Sequence, residues 1–209
     1  MNSMAELSEA ELFQRYDHII GVDEAGRGCL AGPVYVCAVV CPGSRFNELK
    51  HIENLTDSKR LSSGQRDRVL EAMLCMGISY RISVVNHQII DQINILQAAR
   101  LGMKRAVAKL ELSKKASPVV AVDGNQAIET DYPQLTIVKG DLKFKTIAAA
   151  SIFAKVFRDR FMRAVAKKWP CYGFEKHKGY PAAVHKKAIE EHGPCPIHRL
   201  TFRGVLPEE

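Results

Sequence analysis

The sequence contains no apolar run long enough to cross a bilayer, and its first residues show no basic stretch leading into an apolar one. The setting expected from these absences is cytoplasmic, with no membrane partner. Paired cysteines are also missing. Cys29, Cys37, Cys41, Cys75, Cys171 and Cys195 are scattered without a repeated spacing, so they read as free thiols in a reducing compartment. Cys195-Pro196-Ile197-His198 has ligand-like spacing but no second pair, which argues against structural zinc. No G-x-x-x-x-G-K-[ST] loop occurs, so an NTPase has no phosphate anchor. Internal repeats and low-complexity tracts are absent. Acidic residues are in deficit, 23 against 30 Lys and Arg, and a net charge of +7 points towards a polyanionic partner.

What remains is a chain of 209 residues, 46% hydrophobic, long enough to bury a real core. Strand and helix signals alternate. Met1 to Tyr16 is polar and helical in pattern, and Ser8-Glu9-Ala10-Glu11 reads as a capping box opening a short helix. Ile19 to Asp23 is strand-like, and Val34 to Val40 is a second strand expected to pair back on it as a hairpin. A helix is predicted from Ser62, with Gln65 as its capping partner, to Gly77; a strand through Ile78, Tyr80, Ile82 and Val84 follows. Asn86 to Leu112 has the periodicity of one or two amphipathic helices. Pro118 to Gly124 and Leu135 to Lys139 read as buried strands, and Lys145 to Trp169 as a long helix with Phe153, Val156, Phe157, Phe161 and Val165 on one side. From Pro170 the chain turns rich in Pro, Gly, His and Lys around one short helix, Ala182 to His192. The expected organisation is a main domain over 1–169 and a small extension over 170–209.

The acids carry the chemistry. Ile19-Ile20-Gly21-Val22-Asp23-Glu24-Ala25-Gly26-Arg27-Gly28 sets two adjacent carboxylates where an apolar strand breaks into glycines. Strand side chains alternate faces, so the two would converge only if the backbone bends there. Asp23, Asp123 and Asp141 each end an apolar run of β-type residues, and a fold that gathers those ends would assemble a cluster with Glu24. Taken singly, Asp123-Gly124 is a common turn pair and Asp141 a possible helix cap. Taken together, packed carboxylates repel one another, and Mg²⁺ or Mn²⁺ is the simple remedy. Gly26-Arg27-Gly28-Cys29-Leu30-Ala31 spells a dinucleotide fingerprint, but a strand follows it where that motif needs a helix.

Four motifs in order resemble bacterial ribonuclease HII, the type 2 ribonucleases H. They are Asp23 to Gly28 with Ala31-Gly32-Pro33-Val34; Asp57-Ser58-Lys59; Asp123-Gly124; and Lys139-Gly140-Asp141 leading to Ala148–Val156 and Arg158-Asp159. Tyr172-Gly173-Phe174, His177-Lys178-Gly179-Tyr180, His185, Gly193-Pro194 and His198-Arg199 extend the match into the tail. The resemblance implies an α/β, ribonuclease H-like mixed β-sheet flanked by helices, with a small helical C-terminal extension. It also implies a metal-dependent endonuclease that cuts the RNA strand of RNA–DNA hybrids and cuts 5′ of ribonucleotides embedded in duplex DNA; a monomer is expected. Asp23, Glu24, Asp123 and Asp141 match the family's metal-binding and catalytic acids. Gly26, Arg27 and Gly28 match its loop for the ribose 2′-hydroxyl, and Tyr180 its aromatic on the adjacent deoxyribose.

A two-metal mechanism is expected, with Asp23 bridging, Asp123 on the water side, Asp141 on the leaving-group side, and 5′-phosphate and 3′-hydroxyl products. Lys59 and Lys143 are expected substrate contacts. Lys139, Lys145, Arg158, Arg163, Lys167, Lys168, Lys176, Lys178, Lys186 and Lys187 are expected along the duplex backbone. Cys29 stands where proline is common in the family, and Pro181-Ala182-Ala183 where Gly-Thr is common after the tyrosine. The rivals are a silent nucleic-acid-binding module and a metal-free ribonuclease using His177 and His185 as acid and base.

Overall fold

The structure, a computed structural model, describes residues 7–206. The polar helical pattern expected from Met1 lies outside those residues as far as residue 6. Its helices are α1 (Glu9–Leu12), α2 (Phe46–Lys50), α3 (Ser63–Cys75), α4 (His87–Ala108), α5 (Gly140–Lys143), α6 (Lys145–Lys168), α7 (Phe174–His177) and α8 (Ala183–His192). The strands are β1 (His18–Ala25), β2 (Val34–Pro42), β3 (Ser79–Val85), β4 (Pro118–Asp123) and β5 (Gln134–Ile137), in the order β3-β2-β1-β4-β5. β1 pairs antiparallel with β2 and parallel with β4, so the expected hairpin and mixed sheet both form.

The centre of the sheet is apolar on both faces because both are covered. Ile20 and Val22 of β1 pack with Met103, Ala106 and Val107 of α4, while Ala148, Ala149, Ala150 and Phe153 of α6 cover the opposite face. Gly21 is what lets α6 come so close, since a Cβ there would collide with the Thr146 backbone. A buried side chain of Ile or Phe size contributes about 1.5–3 kcal/mol, so these two faces dominate the fold's stability.

Local signals set several boundaries. Ser8 and Glu11 form the expected capping box on α1, and Ser62 and Gln65 form the one on α3. Elsewhere packing overrode the pattern. β1 does not break at Asp23 but continues in register to Ala25, and the backbone turns only at Gly26, with φ of 102°. Asp141 does not end a strand: β5 stops at Ile137, Lys139 adopts a left-handed conformation, and Asp141 falls in the first turn of α5. β3 alternates only partly, with Val84 exposed. The helical stretch after Asn86 is interrupted at Asn94 (φ 63°, ψ 166°), whose side chain accepts the Gln97 N–H. The C-terminal segment packs Tyr172, Phe174, Ala188 and Ile189 against Leu30, Ala31 and Met162.

α6 has no side-chain cap of its own at Phe144. Glu9 of α1 supplies one, accepting the Lys145 N–H at 2.6 Å, the Thr146 N–H at 2.9 Å and the Thr146 hydroxyl at 2.6 Å. A carboxylate at a helix N-terminus also meets the positive end of the helix dipole. Glu9→Ala would leave these donors buried and unpartnered, and should lower unfolding free energy by about 2 kcal/mol in urea titrations. A loss below about 0.5 kcal/mol would contradict a capping role.

Candidate active site

Parallel pairing brings the C-terminal ends of β1 and β4 side by side, with Val22 opposite Val122, so Asp23 and Asp123 follow at neighbouring positions. The left-handed Lys139 turns the chain back after β5, and Asp123 Oδ1 accepts the Gly140 N–H at 2.7 Å. That bond ties α5, and Asp141 with it, to the end of β4. Asp141 is buried and lies against Asp57. The four acids expected to cluster therefore come from three elements meeting at one end of the sheet.

Burial and mutual repulsion dominate their electrostatics. Desolvation, then the charges of Glu24 and Asp123, holds the Asp23 carboxyl well above its ordinary range, although the Ser151 hydroxyl and the Glu24 N–H oppose this. Glu24 is raised by burial despite its attraction to Arg27, and Asp141 by burial and by the charges of Asp123 and Asp57. Neighbouring carboxylates that disfavour ionisation are a common property of cation sites.

The bend expected at Asp23 and Glu24 is corrected, although their charges still act on each other. Because β1 stays extended, they alternate, Asp23 towards Ser151 of α6 and Glu24 towards Arg27, 3.4 Å away. Among the described residues, no group of three or more His, Cys, Asp or Glu side chains forms a ready-made metal site. Hydrogen bonds set the direction of each acid. Asp23 Oδ1 accepts the Glu24 N–H at 2.6 Å, Asp123 is turned to Gly140, and Glu24 to Arg27. A carboxylate offers about four acceptor positions, so these bonds orient the acids without exhausting them. The donor set is all oxygen and rich in negative charge, and it fits a hard divalent cation.

The loop after β1 is held from beneath by two buried arginines. Arg199 donates to the carbonyls of Gly26 (2.7 Å), Arg27 (2.9 Å) and Gly32 (3.0 Å). Arg158 donates to those of Ala31 (3.1 Å), Pro33 (3.1 Å) and Lys178 (2.9 Å). A side chain at Gly26 would strike the Arg158 guanidinium. In a trans peptide C=O and N–H point oppositely, so carbonyls drawn inward at Gly26 and Arg27 turn the N–H groups of Arg27 and Gly28 away from the interior. Tyr180 is joined to the same loop: Leu30 N–H bonds the Gly179 carbonyl at 2.8 Å, and the Tyr180 side chain hydrogen-bonds Cys29. Its ring lies 5.5 Å from Lys155 Nζ and 5.9 Å from the Arg158 guanidinium.

Lys59 is exposed beside this centre, and its charge acts on Glu24 and Asp141; Lys143 is exposed at the end of α5. Arg158, read as a backbone contact, is fully buried, and its guanidinium is spent on carbonyls. His177 and His185 stack with ring centres 4.5 Å apart, and His185 is wholly buried, so neither is placed as a free acid or base. Sequence reasoning quoted Asp57, Ser58 and Ser151 but gave them no role. Ser58 Oγ lies 2.9 Å from Ser151 Oγ, which bonds Asp23, so the Asp57-Ser58-Lys59 turn meets Asp141 through Asp57, backs Asp23 through Ser151 and acts on Glu24 through the Lys59 charge. The polar residues following an acid motif were the signal for this.

Residues 20–205 match the family model described as Ribonuclease HII. The ribonuclease HII of Endomicrobium trichonymphae is 47% identical over 188 residues, 90% of this chain and 86% of that protein. Ribonuclease H2 of Pyrococcus horikoshii OT3 superposes with a TM-score of 0.74 at 26% identity, covering 90% of this chain and 95% of that one. Bst-RNase HIII in complex with Mn²⁺ shares the fold, with a TM-score of 0.76 at 18% identity over 98% of this chain and 74% of that one.

The raised carboxyls give a signed pH dependence. An acid whose folded pKa is raised ionises first in the unfolded chain, so rising pH costs stability, fully so above the folded pKa. In EDTA, the cluster should lower Tm as pH rises from 5 to 8. Added Mg²⁺ or Mn²⁺ should raise Tm more at pH 8 than at pH 5. Equal shifts at both pH values would contradict cation binding by these acids.

Proposed function

The chain belongs to the ribonuclease HII family and is a ribonuclease H; on that premise we propose that it cuts on the 5′ side of ribonucleotides embedded in duplex DNA, as well as within RNA–DNA hybrids, and serves ribonucleotide removal from DNA. One observation carries this reading. A cluster of acids pushed up by burial and by one another adjoins a loop whose N–H groups face away from the core, and that loop is tied to Tyr180.

The roles follow from the chemistry of each group. Asp23, Glu24, Asp123 and Asp141 would hold two divalent cations, Mg²⁺ or Mn²⁺, with Asp23 shared between them. Bound there, the cations supply an activated water and stabilise negative charge on the departing 3′-oxygen. Ser151, backed by Ser58, holds Asp23 towards the site. The Arg27 and Gly28 N–H groups meet the 2′-hydroxyl, the one sugar group that separates RNA from DNA. The Tyr180 ring packs on the neighbouring deoxyribose, while Lys59 and Lys143 lie along phosphates and read no bases. The segment from Pro170 contributes to duplex binding through Tyr180.

Asp23→Asn keeps an oxygen for the Ser151 and Glu24 bonds but removes the charge. Cleavage of a labelled duplex carrying one ribonucleotide should fall by at least about 10³-fold, the equivalent of roughly 4 kcal/mol. Relief of repulsion should raise the Tm of the metal-free protein; a gain of about 1 kcal/mol appears as roughly 2–4 °C. Substantial cutting at saturating Mg²⁺ would refute the role of Asp23. Duplex binding without cutting by the unaltered protein, in Mg²⁺ and in Mn²⁺, would favour a silent binding module. Affinity should also fall steeply with salt, and a flat response would remove phosphate contact from the scheme.

A further inference from the structure

Tyr180 sits in the turn between α7 and α8, backed by three imidazoles, of which His185 meets its carbonyl directly. The Tyr180 carbonyl lies 2.8 Å from His185 Nδ1, and His185 Nε2 lies 3.0 Å from His198 Nε2. The Tyr180 N–H donates to the His177 carbonyl at 3.0 Å. The preceding Gly179 N–H donates to His177 Nδ1 at 3.2 Å, and His177 Nε2 lies 2.8 Å from the Tyr172 carbonyl.

The partners dictate where the protons sit. A carbonyl only accepts, so His185 carries its proton on Nδ1, and its Nε2 is a lone pair. His198 must therefore donate from Nε2, which leaves its Nδ1 to accept the Cys195 N–H at 2.9 Å. The nearby Cys195 carbonyl is already served by the His198 N–H at 2.9 Å. A single direction runs from the Cys195 peptide through two imidazoles to Tyr180. Burial pushes the His185 imidazolium down to about 4 and lowers that of His198, so both rings stay neutral at ordinary pH.

Apolar filling would suit this place better than imidazoles if packing were the only need. His185 and His198 are buried among Tyr172 and Phe174, where an unpaired ring nitrogen would cost stability. Every ring nitrogen of both is used, and the relay ends on the one residue whose ring also meets Cys29 and two cations. The Ala182 N–H shares the same carbonyl at 2.8 Å, so Tyr180 is doubly fixed.

We propose that His185 and His198 are positioning residues for Tyr180, and that their relay sets the preference for a ribonucleotide embedded in duplex DNA over a continuous hybrid. The proposal rests on the reading of Tyr180 as a deoxyribose contact. Neither imidazole touches substrate. By fixing the tyrosine's peptide they fix where the ring meets the sugar, and a small displacement there is felt by the junction and not by the acids.

The test compares kcat/KM on two substrates with Mg²⁺: a DNA duplex with one internal ribonucleotide, and a continuous RNA strand paired with DNA. His185→Leu should lower the junction-to-hybrid ratio by at least about tenfold while hybrid cleavage stays within about threefold. His185→Asn returns an N–H in place of Nδ1 and should recover most of the ratio. Added to Tyr180→Ala, His185→Leu should change nothing further. An unchanged ratio in His185→Leu, an equal fall on both substrates, or no recovery in His185→Asn overturns the relay. If His185→Leu does not fold, His198→Leu against His198→Gln makes the same comparison, because the glutamine amide can donate where Nε2 did; equal ratios for that pair overturn the proposal. Failure of the two readings is distinguishable. A wild-type preference that Tyr180→Ala abolishes and His185→Leu keeps sinks the relay alone, whereas no wild-type preference sinks the reading of Tyr180 and this role with it.

Discussion

Two guanidinium groups buried under residues 26–33 hold that loop by its carbonyls, and the Gly179–Tyr180 turn takes its position from the loop. Burying an arginine without a carboxylate beside it costs several kcal/mol, and only well-aligned acceptors offset that. Arg158 and Arg199 find three carbonyls each. Arg199 is lowered by burial to about 10 and so remains charged at neutral pH. Both arginines reach the loop from the far end of the chain, one from α6 and the other from beyond α8. The loop's shape therefore depends on how α6 and the C-terminal segment pack beneath it, and Tyr180 is joined to the same packing.

The acidic end of the sheet is governed by the opposite balance. Here like charges are brought together at a cost, and the bonds that hold them are ordinary ones: a peptide N–H for Asp23, another for Asp123, a hydroxyl pair behind Asp23. Such bonds fix direction without cancelling charge. The arginines are satisfied within the protein, whereas the carboxylates are left with lone pairs and repulsion that a cation from outside would relieve. Self-sufficiency in the loop and insufficiency in the acids divide the site into a part satisfied within the protein and a part whose repulsion a cation would relieve.

How much of this was legible in the sequence depended on range. Ser8 with Glu11 and Ser62 with Gln65 act within one turn, and their capping boxes stand where the spacing put them. The β1–β2 hairpin and the helix from Lys145 were likewise plain from apolar pattern. Glu9 looked like part of its own short helix, yet its carboxylate serves α6, 136 residues away at Lys145. Arg158 looked like one more surface cation, and only tertiary packing turns it inward onto Ala31 and Pro33. Asp141 was placed at a strand end because Leu135 to Lys139 is apolar; the left-handed Lys139, a conformation no residue-level pattern announces, moved it into a helix. That Asp23 and Asp123 stand at the ends of neighbouring strands was visible from the apolar pattern. How they are oriented was not, because it depends on peptide N–H groups that sequence does not distinguish.

The interior of the C-terminal segment shows how a departure from a family pattern can be absorbed. Proline at 181 removes a backbone donor immediately after Tyr180 and restricts the residue before it to extended geometry. A carbonyl has two lone pairs, and at Tyr180 both are taken, one by the Ala182 N–H and one by a buried imidazole. The first of these bonds is local and survives most changes to the neighbouring side chains. The second reaches across to α8 and depends on His198 keeping its proton on Nε2, which in turn depends on the Cys195 peptide. Stiffness at the turn is thus supplied partly by proline and partly by a chain of neutral donors.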